Sequence, residues 1–147
     1  MTVEIILRRA KAGDAPRIAE LSGQLGYPSS SKEMSDRLAV LSQDPAHAII
    51  VAEPGDRSIQ GWIHVMALMH LESGVFAEIA GLVVDESHRG KGAGKLLVDA
   101  GEKWAREFGC TTMTVRSNVV RSQTHNFYEN LGYSVLKQQK VFKKSIK

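Results

Sequence analysis

The chain contains little of what marks a disulfide-rich, fibrous or membrane-spanning protein. Its 147 residues include one cysteine, Cys110, four prolines and only 6% aromatic residues. One cysteine cannot form an internal disulfide, and no apolar run reaches the length of a membrane-spanning helix. Residues 2–5 do not open a secretory signal. The sequence therefore predicts one cytoplasmic globular domain over residues 1–147, with no membrane partner.

Charge gives no reason to expect nucleic acid as a partner. The net charge is +3, and the basic residues are spread through the chain apart from one central loop and the C-terminal segment. In that last segment apolar residues interrupt the lysines, as in a strand with one solvated face.

The most informative stretch is a glycine-rich segment near residue 90. An apolar run at residues 79–84 precedes it and predicts a buried strand, and residues 96–106 follow with apolar positions at helical spacing. Glycines let a ligand approach the main chain, and a new helix offers unpaired N–H groups and partial positive charge to an anion. The segment, which we call the cradle, predicts a phosphate site. Its residues are Arg89, Gly90, Lys91, Gly92, Ala93, Gly94 and Lys95.

Two familiar phosphate-binding motifs do not fit the cradle. A Walker A loop needs glycine where Arg89 stands and a hydroxyl residue where Leu96 stands. A dinucleotide fingerprint has the spacing Gly-x-Gly-x-x-Gly near the start of a βαβ unit, whereas these glycines alternate and lie well past the middle of the chain. The pattern that fits is Arg-x-x-Gly-x-Gly, from Arg89 through Gly92 to Gly94.

This pattern, together with a second one downstream, resembles the signatures of the GNAT superfamily of acyl-CoA-dependent N-acetyltransferases. In that family Arg-x-x-Gly-x-Gly binds the pyrophosphate of coenzyme A. Residues 125–133 are similar to the other signature, a helix carrying Phe127 and Tyr128 that ends in Leu-Gly before an aromatic residue. The resemblance covers about residues 48–145. It implies an acyltransferase that uses acetyl-CoA as cosubstrate.

The order of predicted elements resembles the GNAT layout. Asp14 and the pair Ser30 and Glu33 are expected to cap the first two helices, Gly26 to end the first, and Gly132 to end the last. We expect strands at residues 4–9, 48–53, 59–70, 76–84, 112–117, 133–138 and near the C-terminus. The implied fold is a single α/β domain whose mostly antiparallel, mixed sheet of about seven strands is splayed in the middle and flanked by about four helices.

The resemblance assigns the acid and the base of the reaction. An alkylamine has a pKa near 10, so a base must accept its proton before it attacks a thioester. Glu78 lies where some members carry a general-base glutamate; the alternatives are a surface residue or a contact for a cationic amine. Tyr128 matches the family tyrosine whose hydroxyl points at the coenzyme sulfur, and the alternative is a core tyrosine.

The resemblance also assigns contacts to the coenzyme. The main chain of Leu82, Val83 and Val84 is implied to pair with the pantetheine arm as an added strand. A bulge in that strand is implied to aim one N–H, expected to be that of Val83, at the acetyl oxygen. Asn118 matches a residue that contacts the coenzyme, with a strand-end turn as the alternative.

The sequence leaves the substrate and some partners open. No metal is expected, because no histidine pair has helical metal spacing, and His64 and His70 share one strand face typical of a core. A small-molecule amine is the first expectation and a peptide or protein N-terminus the second. An acyl-CoA-binding regulatory module without turnover and a nucleotide-phosphate binder are the rivals from other classes. A homodimer is an alternative to a monomer.

Overall fold

The computed structural model describes residues 4–55, 58–116 and 122–147. These residues belong to two compact units, Met1–Val115 and Arg116–Lys147. In the first unit the described residues form five strands and three helices. The strands are β1 (Ile5–Arg9), β2 (His47–Pro54), β3 (Gly61–His70), β4 (Gly74–Val84) and β5 (Met113–Val115), and the helices are α1 (Ala15–Leu25), α2 (Ser31–Leu41) and α3 (Ala93–Phe108).

The strands form one mixed sheet in the order β1-β2-β3-β4-β5. The first three pairings are antiparallel, and β5 runs parallel to β4. The expected mostly antiparallel α/β sheet is therefore confirmed in type. β5 pairs only with Ala77–Ile79, so the last part of β4 extends beyond the pairing that the described residues give it.

Local sequence signals start and end the first two helices. Gly26 ends α1 in the left-handed conformation, with φ 97°. The capping box of α2 is confirmed, because Ser30 Oγ accepts from Glu33 N–H at 3.0 Å and Glu33 Oε1 accepts from Ser30 N–H at 2.9 Å. Asp14 occupies the N-cap of α1, but its carboxylate accepts bonds from Arg8 and from Lys11 N–H and does not cap the helix.

Helices cover both faces of the sheet. On one face Ile18, Leu21 and Leu38 of α1 and α2 pack with strand residues in a buried cluster. On the other face Gly101 of α3 lies against Val65 and Ile63 of β3. Burying side chains of this size stabilises the fold by about 1.5–3 kcal/mol each. The core thus fixes β3 and β4 between two layers of helices.

A β-bulge interrupts the pairing of β3 with β4. His64 lies opposite Gly81, whereas Val65 lies opposite Ile79, so Ala80 is an extra residue on β4. An extra residue bends a strand and shifts which side its later groups face. The bulge that the family resemblance implies in this strand is therefore present.

The second unit contains one helix among its described residues. This helix, α4 (Ser122–Asn130), is followed by Gly132 with φ 95°, so Gly132 takes the left-handed role expected of it. Tyr128 O accepts the N–H groups of both Leu131 and Tyr133 at 3.0 Å, which closes the end of the helix.

The two strands expected after α4 are not formed, and this part of the prediction is wrong. Residues 133–147 are in neither helix nor strand. An apolar pattern makes a strand only where a neighbouring strand supplies its hydrogen bonds, and no pairing of these residues is present among the described strands. The count is therefore five described strands and not about seven. The large apolar side chains of this C-terminal segment are 72–94% exposed: Val135, Leu136, Val141, Phe142 and Ile146.

Candidate active site

The cradle connects the end of β4 to the start of α3. After Val84 the chain makes a short 3-10 turn at Glu86–His88, and α3 begins at Ala93 with Gly92 as its N-cap. No side chain caps this end of α3. Its first N–H groups therefore point out of the helix without a side-chain acceptor, which is the arrangement that binds anions.

Two glycines of the cradle have left-handed backbone conformations. Gly90 has φ 79° and Gly92 has φ 91°. A Cβ built at either position meets no atom within 4 Å. Glycine is therefore required here by the backbone conformation and not by crowding within the protein, and the space beside the main chain is open. Gly94 lies inside the first turn of α3.

Two of the three basic side chains of the cradle have partners inside the first unit. Arg89 Nε donates to Val84 O at 3.0 Å, which ties the loop back to the end of β4. Lys95 Nζ lies 2.8 Å from Asp99 Oδ2, one turn further along α3, and this hydrogen bond raises the pKa of Lys95. Lys91 is exposed at the surface of the loop.

The end of β4 presents its main-chain groups to two different sides. N–H groups of successive strand residues face opposite neighbours. Asp85 N–H donates to Gln60 O at 2.7 Å, just before β3. By alternation Val83 N–H also faces β3, whereas the N–H groups of Leu82 and Val84 face the opposite edge.

The same directions of the N–H groups follow when they are traced from the start of β4 through the bulge. Ala77 N–H donates to Thr112 O at 3.0 Å, so Ala77 faces the β5 side. The extra residue Ala80 shifts the alternation by one position, which places Leu82 and Val84 on the same side as Ala77. The side chain of Val83 is buried in the α1–α2 core cluster.

Glu78 lies on β4 two residues before the bulge. It is opposite Met66 of β3 and opposite Thr114 of β5, and it is half-buried. The carboxylate is thus carried by a strand held on both sides, in the same unit as the cradle.

Tyr128 lies in α4 of the second unit and is 8% exposed. The rings of Phe127 and Tyr133 contact it edge to face, with centroids 5.1 and 5.6 Å away. Burial raises the pKa of Tyr128 to about 12, so its hydroxyl keeps its proton at neutral pH. Asn118 lies outside the described residues.

A histidine pair was not found from the sequence. Nδ1 of His47 on β2 lies 2.9 Å from Nε2 of His64 on β3. The two positions are 17 residues apart, and only the register of the sheet reveals that they meet. No group of three or more His, Cys, Asp or Glu side chains suited to a metal occurs in the part of the chain that the structure describes.

Trp62 packs closely against β4, and the described helices differ from membrane-spanning ones in length and hydropathy. The indole N–H of Trp62 is buried and has no hydrogen-bond partner among the described residues. Its ring lies on Gly81, where an added Cβ would come within 3.0 Å of Cη2 and Cζ3. None of the described helices has the length and hydropathy needed to cross a membrane.

A curated relative is similar to part of the chain. Uncharacterized N-acetyltransferase YhdJ of Bacillus subtilis (strain 168) is 33% identical over 69 residues, which make up 46% of this chain and 47% of that protein. The match therefore spans about half the length of this curated relative.

Solved structures resemble the whole chain. Aminoglycoside N-acetyltransferase AAC(6')-Iy in complex with CoA has a TM-score of 0.88 at 17% identity, over 98% of this chain and 97% of that one. A transcriptional regulator from Bacillus halodurans C-125 has a TM-score of 0.85 at 23% identity, over 96% and 100% of the two chains. At these identities the likeness shows the fold alone.

A family model decides the assignment. It describes the Acetyltransferase (GNAT) family and matches residues 16–133, which include the cradle, β4 and α4. The chain therefore belongs to the acetyltransferase (GNAT) family, whose members transfer acyl groups.

Proposed function

We propose that this chain is an acetyl-CoA-dependent N-acetyltransferase that acetylates a primary amine of a small molecule within a ternary complex. The observation that carries the proposal is the uncapped start of α3 behind two left-handed glycines, Gly90 and Gly92. We further propose that residues 1–147 act as a single catalytic domain, because the family match at residues 16–133 extends across both units.

The cradle fits the diphosphate of coenzyme A. A diphosphate needs several donors close together, and the first turn of α3 supplies main-chain N–H groups with the positive end of the helix dipole. Open space beside Gly90 and Gly92 lets phosphate oxygens reach them. The exposed ammonium group of Lys91 adds a full charge. Arg89 has a different role, because its bond to Val84 O fixes the loop to the strand.

The end of β4 fits the pantetheine arm and the acetyl oxygen. An extended ligand pairs with a free strand edge through main-chain groups. We expect Leu82 and Val84 to supply outward N–H groups, and one of them to stabilise the developing oxyanion. Val83 differs from the sequence expectation, because its N–H faces β3. Its buried side chain supports the strand instead.

Glu78 and Tyr128 are proposed to move the protons. The ammonium form of the substrate first loses a proton to the Glu78 carboxylate, and the neutral amine nitrogen then attacks the acetyl carbon. The carbon–sulfur bond then breaks, the departing thiolate takes a proton from the Tyr128 hydroxyl, and the acylated nitrogen gives its extra proton to the resulting tyrosinate. The hydroxyl is protonated at neutral pH and can donate, although burial, which raises its pKa to about 12, makes it a weaker acid than an exposed tyrosine.

The substrate class rests on similarity of fold. AAC(6')-Iy is named as an aminoglycoside N-acetyltransferase, so this fold accommodates small amines. The likeness to a transcriptional regulator supports the rival, a regulatory module that binds acyl-CoA without turnover. Thioester loss from acetyl-CoA, measured over a panel of aminoglycosides, amino sugars, polyamines and peptides, separates the two.

A matched pair of glycine variants tests the cradle. Gly92 and Gly109 flank α3 at opposite ends, both have left-handed φ (91° and 111°), and neither has an atom within 4 Å of an added Cβ. Gly92→Ala and Gly109→Ala should therefore cost similar stability, about 1 kcal/mol. Only Gly92→Ala should weaken binding of CoASH in calorimetry. Equal affinities in the two variants, or no binding by the wild type, would contradict the proposal.

We also propose a homodimer that covers the exposed C-terminal segment. Each of the five exposed apolar side chains of this segment contributes about 1.5–3 kcal/mol when it is buried. At about 25 cal/mol per Å² this is roughly 300–600 Å² of apolar area per copy, and two copies bury roughly 600–1,200 Å², a range that includes the roughly 1,000 Å² of a specific interface. Light scattering coupled to gel filtration should give twice the 16.1 kDa chain mass. Phe142→Lys should shift the protein to monomer, and a wild-type monomer would refute the dimer.

A further inference from the structure

Helix α1 holds the turn that leads into the cradle. Arg17 Nη2 lies 2.5 Å from Asp85 Oδ2, and Arg17 Nε donates to Ile59 O at 3.0 Å. The guanidinium therefore connects α1 to the segments before β3 and after β4 together. The side chains of Arg17 and Asp85 are 20% and 15% exposed, so water screens this ion pair only partly.

A second side chain of α1 contacts the same turn. Gln24 lies two turns after Arg17, on the same face of the helix. Its Oε1 accepts from Glu86 N–H at 3.0 Å, and its Nε2 lies 3.4 Å from Asp85 Oδ1. The amide thus binds a main-chain group and a side chain of the turn at once. These contacts span 61 and 62 residues of sequence.

Asp85 bonds both to the side chains of α1 and to the main chain of the turn. Besides Arg17 and Gln24, its carboxylate accepts from Ser87 N–H at 3.3 Å and lies 3.6 Å from His88 Nδ1. Burial opposes ionisation of Asp85, but the hydrogen bonds from Arg17, Ser87 and Gln24 lower its pKa to about 2. The carboxylate is therefore ionised throughout the physiological range.

Contacts from α1 should favour the binding conformation of the cradle, because the glycines of the cradle make the unbound loop flexible. Gly90 and Gly92 leave the unbound loop many backbone conformations, and ordering each residue on binding costs about 1–2 kcal/mol. A loop that is already ordered binds more tightly, since apparent affinity scales with the fraction of molecules in the competent conformation.

We propose that Arg17 and Gln24 are positioning residues that hold the cradle in its coenzyme-binding conformation through Asp85 and Glu86. The inference rests on the proposed function, because it concerns affinity for coenzyme A. It assigns to α1, outside both sequence signatures, an indirect part in binding the cosubstrate.

The test compares Gln24→Ala and Arg17→Met with a control ion pair elsewhere in the fold. Glu53 on β2 bonds to Arg8 on β1, each side chain of this pair is 25% exposed, and neither residue lies on α1 or β4. Glu53→Met should therefore lower the melting temperature, as Arg17→Met does, but without affecting the cradle. Gln24→Ala is the milder variant and guards against misfolding.

Calorimetry with CoASH should show a Kd raised about tenfold by Arg17→Met and about threefold by Gln24→Ala, since the competent fraction falls. Glu53→Met should keep the wild-type Kd. Turnover should show a raised KM for acetyl-CoA with kcat nearly unchanged, and Arg17→Lys should recover part of the affinity. Wild-type Kd in both α1 variants, with lowered melting temperatures, would show that the contacts are merely structural.

Amide hydrogen exchange without coenzyme separates this inference from the proposed function. Exchange at residues 87–92 should be faster in Gln24→Ala than in Glu53→Met and in the wild type. If the wild type binds no CoASH, the proposed function is wrong. The exchange measurement still tests whether the contacts of α1 order the turn. Unchanged exchange in Gln24→Ala would overturn the inference even if coenzyme binding is confirmed.

Discussion

Nε2 of His64 lies 2.9 Å from Nδ1 of His47, across the pairing of β3 with β2. The two rings are tilted by 35° with centroids 5.1 Å apart. Asp44 Oδ2 lies 3.7 Å from the other nitrogen of His47. Burial, and then the neighbouring His47, lower the pKa of His64 to about 4. One ring can donate an N–H to the other ring, but burial disfavours the protonated, charged form of His64.

This pair predicts a loss of stability in mild acid. An unfolded histidine has a pKa near 6.5, so between pH 6.5 and about 4 the unfolded chain binds a proton that folded His64 does not. Stability therefore falls as pH falls through this window, by at most about 3 kcal/mol. Above pH 6.5 both states are neutral at His64, and this effect vanishes. Urea unfolding of the wild type at pH 7.0 and pH 4.5 measures the loss.

His64→Gln should flatten this dependence, because glutamine does not titrate. His70→Gln is the matched control on the same strand, since His70 is exposed. Acidic groups such as Asp14, whose pKa is lowered mainly by its hydrogen bond from Arg8, lose their contributions at still lower pH in all three proteins. Equal slopes for His64→Gln and the wild type would show that folded His64 titrates normally.

Packing of α3 on β3 gives a second prediction, which compares substitutions at two glycines that lie within helices. A Cβ at Gly101 would lie 2.9 Å from Val65 Cγ1 and 3.3 Å from Ile63 Cδ1, whereas one at Gly23 meets nothing within 4 Å. Gly23→Ala should stabilise the protein by about 0.5–1 kcal/mol through helix propensity. Gly101→Ala should lose that gain to overpacking, with a penalty of about 1–3 kcal/mol.

Thermal unfolding of the two glycine variants measures the difference. The melting temperature should rise for Gly23→Ala and fall for Gly101→Ala. A rise in both would mean that α3 moves away from β3 at little cost.

The hydroxyl of Tyr128 gives a third prediction. Tyr128→Phe removes only the hydroxyl and should lower kcat by about 10²–10⁴-fold, the usual range for a general acid, while the Kd for CoASH stays nearly constant. Tyr133→Phe is the matched control, since its ring packs edge to face against Tyr128. Full activity of Tyr128→Phe across the pH range would rule out the acid role.

Signals carried by neighbouring residues could be predicted from the sequence. The capping box of Ser30 and Glu33 and the glycine ends of α1 and α4 depend on residues within one turn, and all are confirmed. The cradle was likewise found from adjacent glycines and a change of periodicity. Family membership was predicted from two such local signatures and is confirmed.

What could not be predicted depends on residues far apart in sequence. Arg17 and Asp85 are separated by 68 residues, and His47 meets His64 only through the register of two strands. The expected strand at residues 133–138 failed because apolar pattern does not specify a partner strand. The direction of the Val83 N–H depends on the single extra residue Ala80, which no spacing rule reveals.

Proline substitutions test which N–H groups at the end of β4 face β3, and thereby which of them is the oxyanion donor. Proline removes one N–H, and a strand tolerates it where the N–H faces away from its neighbour. Leu82→Pro should therefore keep most of the stability and, if Leu82 is the donor, lower kcat by about 10²–10³-fold. Val84→Pro should do so if Val84 is the donor. Val83→Pro should instead unfold at a lower temperature, because it breaks a bond to β3. If Val83→Pro is the stable variant and Leu82→Pro the unstable one, the alternation across Ala80 is reversed and Val83 is restored as the donor.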